Sequence, residues 1–404
     1  MSGAERAAGG PLQGVRVIEL GTLIAAPFAT RMLADFGAEV IKVEAPKTGD
    51  QLRKWRKTHE GTSLWWYLQS RNKKSIAIDL KSPEGQQIVR QLAASADVVV
   101  ENFRPGTLEK WGIGWDELSK LNPKLVLVRI SGYGQSGPYR DRPGFGAVAE
   151  AMGGMRYVTG SPDRPPARAG ISIGDSLASL HAVVGALMCL LRVKSGQGDG
   201  QVVDVSLLES VFNMMESLVP EYDFFGEIRE RSGGTLPGIT PSNTYRTRDN
   251  AWVVVAGNGD AIFRRLMVAI GRSDLAEDSR LQSNQGRVAH ERMIDDAISF
   301  WIADRDAASV LAAFDKAEVP ASPIYSAKDI MRDPQLQARD MFLDSELPDG
   351  SVVKLPGVVP KLSHTPGRME WIGPKLGQHT NEVLQAAGYS AEDMAKLRAA
   401  GVVE

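Results

Sequence analysis

Over the first 130 residues, short runs of β-branched and aliphatic residues alternate with segments of helix length. No other feature of the chain restricts its fold as much. Val15-Arg-Val-Ile-Glu-Leu20, Glu39-Val-Ile-Lys-Val43, Ser75-Ile-Ala-Ile-Asp-Leu80, Asp97-Val-Val-Val-Glu101 and Leu125-Val-Leu-Val-Arg-Ile130 read as strands. Between them lie a helix over 27–36, opened by Pro27, and another beginning near Pro83. Strands regularly separated by helices mean βαβ units, and βαβ units mean a parallel, doubly wound sheet. Gly132-Tyr-Gly-Gln-Ser-Gly-Pro138 is then a loop, because its glycines and proline prevent regular structure. A long helix follows Asp175. Leu177, Leu180, Val184, Leu187, Met188 and Leu191 recur at helical spacing and are expected to form its buried face. Glycines in Lys194-Ser-Gly-Gln-Gly-Asp-Gly200 stop it. Residues 233–241 have linker composition, a smaller α/β unit begins at Trp252, and a final helix is expected over 382–400.

At 404 residues the chain exceeds one ordinary core, so two domains are expected. Lys+Arg 47 against Asp+Glu 49 gives a net charge of -2, which supplies no electrostatic reason for a nucleic-acid or membrane partner. The apolar stretch from Ala182 to Leu191 is about half of the ~20 residues that span a bilayer. The single cysteine, Cys189, suits a reducing compartment, and a cytoplasmic protein is expected. Glu44, at the end of the second strand, invites a dinucleotide reading. The first turn, however, is Gly21-Thr-Leu-Ile-Ala-Ala26 and lacks the glycines that admit a pyrophosphate. The five histidines are scattered, with no Cys/His ligand spacing, so no metal is assigned; His181, beside the apolar face, reads as a satisfied core residue. No G-x-S-x-G elbow offers a hydrolase serine. The charged run Lys42 to Lys57 matches no motif and reads as surface.

Eight local sequences, in order, carry the resemblance that remains. They are Gly14-Val-Arg-Val-Ile-Glu-Leu20, Ala26-Pro-Phe-Ala-Thr30, Gly37-Ala-Glu-Val-Ile-Lys-Val-Glu44, Arg71-Asn-Lys-Lys-Ser-Ile76, Asp79-Leu-Lys81, Val100-Glu-Asn-Phe-Arg-Pro-Gly106, Gly132-Tyr-Gly-Gln-Ser-Gly-Pro138 and Gly174-Asp-Ser176. Together they resemble the class III (CaiB/BaiF-type) CoA-transferases, from about Gly14 to Met215 and more weakly to Met341. The resemblance implies a Rossmann-like large domain with a parallel sheet, a small α/β domain, and ring-shaped monomers interlocked as a homodimer. It divides the chain into a loose tail (1–10), the large CoA-binding domain (11–200), linker helices (201–240), the small domain (241–320), and a linker that returns to the large domain (321–404). Long linkers suit such a dimer better than a compact monomer. No permanently bound cofactor is implied; a coenzyme A thioester enters as substrate.

The resemblance makes Asp175 the covalent nucleophile. From its local segment alone, Asp175 reads first as a helix cap or first-turn acid, since a carboxylate meets free N–H groups there, and only the resemblance turns that reading to nucleophile. The roles are compatible, because a helix N-terminus keeps a carboxylate ionised and carboxylates do serve as nucleophiles. For CoA, the resemblance points to Ile24 and Ala25, to Ile78, Asp79, Leu80 and Lys81, to Asn102, Phe103 and Arg104, and to Lys110, Gly144 and Phe145. Lys81, Arg104 and Lys110 would supply cations for phosphate and Phe103 a face for adenine, against the alternative of a solvated basic rim. Gly257-Asn258-Gly259 matches a glycine loop that covers the site in some members, and an ordinary strand-to-helix turn is the alternative. Arg168 is the candidate for a second substrate carboxylate, which favours a dicarboxylate acceptor with succinyl-CoA as donor. Two other readings remain: a 2-methylacyl-CoA racemase and a catalytically silent CoA-binding subunit. The racemase needs a second acid–base group, and residues 144–154 contain no histidine. The intact Asp175 opposes the silent subunit.

Overall fold

The computed structural model describes residues 9–404. The loose tail expected for 1–10 therefore lies, over residues 1–8, outside the described residues. The chain forms two compact units: one from the chain up to Gly154 with Ala169–Met215 and Ala338–Glu404, the other from Met155–Arg168 and Glu216–Gln337.

The first unit is built on six strands: β1 (Arg16–Glu19), β2 (Glu39–Glu44), β3 (Lys73–Ala77), β4 (Val98–Glu101), β5 (Val126–Ser131) and β6 (Val202–Ser206). All pair in parallel, in the spatial order β3-β2-β1-β4-β5-β6. This is the strand order of dinucleotide-binding folds, and the expected doubly wound sheet is borne out. Near-continuous burial of Val98, Val99 and Val100 and of Val126 to Ile130 shows why these strands read as mainly apolar runs, with Arg129 the one charge: both sheet faces are covered. The strand expected over 75–80 is displaced to 73–77, with Ile78 making an isolated antiparallel bridge to Val403. The end of the chain thus packs on this unit, with Val383, Leu384, Met394, Val402 and Val403 in its core. Its final helix is two helices, Thr380–Ala386 and Ala391–Ala399. Gly388 at φ +94° breaks the run, and Ser390 starts the second helix through a capping box with Asp393.

Four helices frame the later argument: α1 (Ala25–Asp35), α2 (Gly146–Met152), α3 (Ile173–Lys194) and α4 (Leu207–Phe212). The sequence places the buried face of α3 on the wrong side. Leu180, Val184, Leu187, Met188 and Leu191 are exposed, whereas Ala178, Ser179, Ala182, Ala186, Cys189 and Leu190 are buried. Small side chains let α3 lie close to α1 and to the sheet, so proximity rather than side-chain bulk selects the buried face. By length and apolar composition α3 would suffice to cross a membrane, contrary to what the 182–191 stretch suggests, but its small-residue face is packed inside this unit. His181 Nδ1 is buried without a hydrogen-bond partner, so the expected satisfied core histidine is not found.

The run Lys42 to Lys57 is only partly surface. Lys42, Glu44 and Asp50 are buried, whereas Lys47, Arg56 and Lys57 are exposed. Burial is tolerated because each charge is paired. Lys42 Nζ reaches Glu19 Oε1 at 2.7 Å and Asp50 Oδ2 at 2.8 Å, and Arg53 grips Glu44 through two 2.8 Å bonds. Lys73 Nζ meets the other Glu19 oxygen at 2.8 Å, and Thr30 Oγ1 donates to that oxygen at 2.6 Å. Burial pushes the Lys73 ammonium down to about 8, against the pull of Glu19. Burial also works against an ionised Glu19, but its two lysines outweigh it and hold the carboxyl below its ordinary value.

The second unit holds a three-stranded antiparallel sheet from Ser242–Arg246, Trp252–Ala256 and Ala321–Pro323. Its helices bury Phe263, Leu266, Ile294, Ile298, Ile302 and Phe314 in a separate core. It also takes Met155–Arg168, a segment the sequence division gave to the large domain.

Candidate active site

In a parallel sheet all loops that follow strands emerge at one edge, and ligands bind where neighbouring connections diverge. Here that point lies between β1 and β4. The turn after β1, Gly21 to Ile24, and the loop after β4, Asn102 to Gly106, are tied together: Thr22 N–H donates to Asn102 Oδ1, and Asn102 Nδ2 donates to Thr22 O, both at 2.8 Å. Asn102 is thus committed to bracing the turn. Ile24 and Ala25 are buried and present backbone; their carbonyls accept from Gln69 Nε2 (3.1 Å) and Ser179 Oγ (2.7 Å). The Phe103 ring is half-buried, edge-on to Trp111 at 5.2 Å, so its inner side belongs to the core. Its N–H donates to Glu101 Oε2 at 2.7 Å. Burial pushes the Glu101 carboxyl up to about 7, with Arg129 at 2.8 Å pulling the other way. After β3, Ile78 is fully buried and Asp79 Oδ1 accepts the Lys81 N–H at 3.0 Å. Leu80 packs at the core margin. Lys81, Arg104 and Lys110 are exposed, as cations for phosphate need to be.

Asp175 is the third residue of α3, half-buried in its first turn. The N-cap is Ser172, whose side chain makes no capping bond, so Asp175 occupies the first turn and is not the cap. Its carboxylate lies against the start of α2. A Cβ added at Gly146 would stand 2.9 Å from Asp175 Cγ and closer still to Oδ2. Gly174 has a similar constraint, since a Cβ there would meet Gly146 O at 3.0 Å and Glu150 Cγ at 3.3 Å. Two glycines therefore let two helices meet at backbone distance, with the carboxylate lying directly on the Gly146 backbone. The Gly174 N–H points to Glu150 Oε1 at 3.4 Å, and Glu150 is buried. Ser179 Oγ, 2.7 Å from both Asp175 O and Ala25 O, links the nucleophile helix to the turn after β1.

The structure thus brings Asp175, Ile24, Ala25 and Asn102 into one bonded assembly. Gly144 and Phe145 immediately precede the α2 contact; Gly144 backs onto Gly132, and the Phe145 ring is 70% exposed. Sequence reading missed Gly146, Glu150 and Ser179. A signal for Gly146 existed: a glycine opens a helix where it costs stability. Arg168 and Gly257–Gly259 belong to the second unit. There Arg287, fully buried, donates to Asn258 O at 2.7 Å and Asp260 Oδ1 at 2.8 Å, and Gly257 N–H donates to Pro241 O at 2.9 Å. This anchoring gives the loop the character of a fixed strand-to-helix turn. Among the described residues no cluster of three His, Cys, Asp or Glu side chains is placed to hold a metal ion.

Comparison with known proteins adds a family. Residues 12–380 match the model of CoA-transferase family III. The chain is 50% identical over 396 residues to succinyl-CoA–D-citramalate CoA-transferase of Chloroflexus aurantiacus, covering 97% of this chain and 98% of that protein. It is 42% identical over 398 residues to the succinyl-CoA–L-malate CoA-transferase beta subunit of the same organism, at 97% and 98% coverage. Among solved structures, a CaiB/BaiF family protein from Brucella suis superposes with a TM-score of 0.81 at 32% identity, covering 94% of this chain and 100% of that one.

Proposed function

Because this chain belongs to CoA-transferase family III, we propose that it moves CoA from succinyl-CoA to a dicarboxylic acid of four to six carbons through a covalent aspartyl intermediate on Asp175. The observation that carries the mechanism is the Asp175 carboxylate, set in the first turn of α3 on the Gly146 backbone. The helix N-terminus favours its ionised, nucleophilic form. Attack on the thioester carbonyl breaks the C–S bond, releases CoA thiolate and forms a mixed anhydride with the donor acid. The thiolate then attacks the aspartyl carbon, expels the donor carboxylate and leaves an aspartyl-CoA thioester. The acceptor carboxylate attacks that thioester and thiolate leaves again. Attack of the thiolate on the acceptor's carbonyl yields the new acyl-CoA and restores Asp175. One thioester is exchanged for another, so the sequence needs no energy donor. The anhydrides demand a site that excludes water.

The donor and acceptor classes are supported by the two relatives, whose names pair succinyl-CoA with citramalate and malate. We assign the second acceptor carboxylate to Arg168, whose planar fork suits bidentate recognition. Purified enzyme with succinyl-CoA and a panel of acids should transfer CoA to citramalate, malate or glutarate in preference to monocarboxylates. Arg168→Lys should lower kcat/KM for those diacids about tenfold or more while sparing monocarboxylates. Equal rates across the whole panel would overturn the acceptor class.

We also read the chain as one half of an interlocked cytoplasmic homodimer. The exposed apolar face of α3, with Met188 66% and Leu191 72% exposed, supports a protein partner there. Sedimentation at micromolar concentration should show a dimer; a fully active monomer would sink this reading.

A further inference from the structure

The turn between β1 and α1 is held in an uncommon shape from outside itself. Leu23 has φ +65°, left-handed space that leucine rarely enters and that only glycine, and to a lesser degree asparagine or aspartate, adopts readily. No local turn chemistry accounts for it. The Leu23 N–H instead donates to both carboxylate oxygens of Asp50, at 3.1 Å each. Asp50 is 2% exposed and lies 27 residues away in sequence. It is fixed in turn by Lys42, whose ammonium also donates to Gly21 O at 2.9 Å, and by the Leu52 N–H at 2.9 Å. The Lys42–Glu19–Lys73 network therefore grips the β1–α1 connection at both ends, through Lys42 and Asp50 at residues 21–23 and through Lys73 Nζ, which donates to Pro27 O at 2.7 Å. Buried charges are costly to keep, and hydrophobic replacements of similar volume often serve stability as well. A network retained at that cost, and aimed at the turn where the sheet's connections diverge, points to the site.

We propose that Asp50 is a positioning residue of the acyl-CoA site: by holding the Leu23 amide it keeps the β1–α1 turn in the shape that receives CoA. This rests on the reading that CoA binds at that turn. Oδ1 accepts from Leu52 N–H, Oδ2 from Lys42, and both share the Leu23 N–H, so Asp50→Asn must turn its NH₂ against either Leu52 N–H or Lys42 and leaves one uncharged oxygen for Leu23. The hold on the turn is weakened, from a shared bond to a charged carboxylate to one neutral acceptor beside a clashing donor, while side-chain volume is kept.

The test measures CoA affinity by titration calorimetry, turnover at saturating substrate, and hydrogen exchange of the peptide containing residues 20–26. Asp50→Asn should weaken CoA binding about tenfold with turnover nearly unchanged. Adding Leu23→Gly should restore most of that affinity, because glycine adopts the left-handed shape without help. A buried charge that merely stabilised the fold would not be rescued by a glycine in the turn. Leu23→Val strains the turn while leaving the charge network untouched, and should weaken CoA by a similar factor even if Asp50→Asn does not fold. Unchanged affinity in Leu23→Val, or Asp50→Asn weakened with no rescue by Leu23→Gly, overturns the proposal. Exchange separates the two levels. If CoA protects peptide 20–26 in the wild type and Asp50→Asn binds CoA normally, only the positioning role fails. If CoA leaves that peptide unprotected, the location of the site fails and the proposal with it.

Discussion

Replacing Asp175 by asparagine will reduce CoA transfer about 10⁴-fold or more while leaving the fold and CoA affinity in place. Asparagine preserves the side-chain volume that fits over Gly146 but cannot form an anhydride. Ser172 is the N-cap of α3, so the exchange leaves the cap in place, and the first-turn charge it removes is worth typically 0.3–1 kcal/mol. A purely structural Asp175 would behave in the opposite way, with a measurable loss of stability and near-normal turnover. The covalent step has its own readout. Wild-type enzyme given succinyl-CoA and then hydroxylamine should carry a hydroxamate on the peptide containing Gly174-Asp-Ser176. Label on another carboxylate, or an active Asn variant, would falsify the mechanism.

How much of this was legible in sequence depended on whether the controlling interactions were local. The parallel sheet was legible because strands buried on both faces are largely apolar along their length, as Val98–Val100 and Val126–Val128 are. The position of Asp175 was legible because glycines and short polar residues mark a helix start. The orientation of α3 was not. Periodicity finds the bulky apolar stripe, and here that stripe, Leu180 to Leu191, is exposed while alanines and Ser179 are buried. Periodicity cannot say which of two faces meets the sheet when close approach of backbones decides the matter.

The charge network was invisible for a related reason. Lys42 reads as one more charge in a polar run until Glu19, from a neighbouring strand, and Asp50, from a loop, converge on it. Nothing local distinguishes a paired buried lysine from a solvated one. Asn102 and Phe103 show the same limit at the site. The sequence named both as ligand contacts, and the structure shows that each also carries a framework duty, one bracing Thr22 and the other packing on Trp111. Gly146 escaped because a glycine's function lies in what it leaves empty.

That emptiness makes Gly146→Ala the most informative substitution after Asp175. An ideal Cβ at 146 would stand 2.9 Å from Asp175 Cγ and 3.3 Å from its backbone nitrogen, well inside ordinary contact distances. Either the carboxylate rotates away or α2 shifts against α3. Gly146 is helical and not in left-handed space, so alanine is conformationally permitted there and carries higher helix propensity by up to about 1 kcal/mol. Local stability and catalysis are therefore expected to move apart. The melting temperature should hold or change only slightly, while kcat falls about 10²-fold, the scale on which a misplacement near 1 Å acts. CoA affinity should survive, since the turn after β1 is untouched. Loss of kcat together with a large drop in melting temperature would assign Gly146 to packing alone. Full kcat in a folded Gly146→Ala enzyme would mean that the carboxylate reacts from some position other than the one it holds over this glycine.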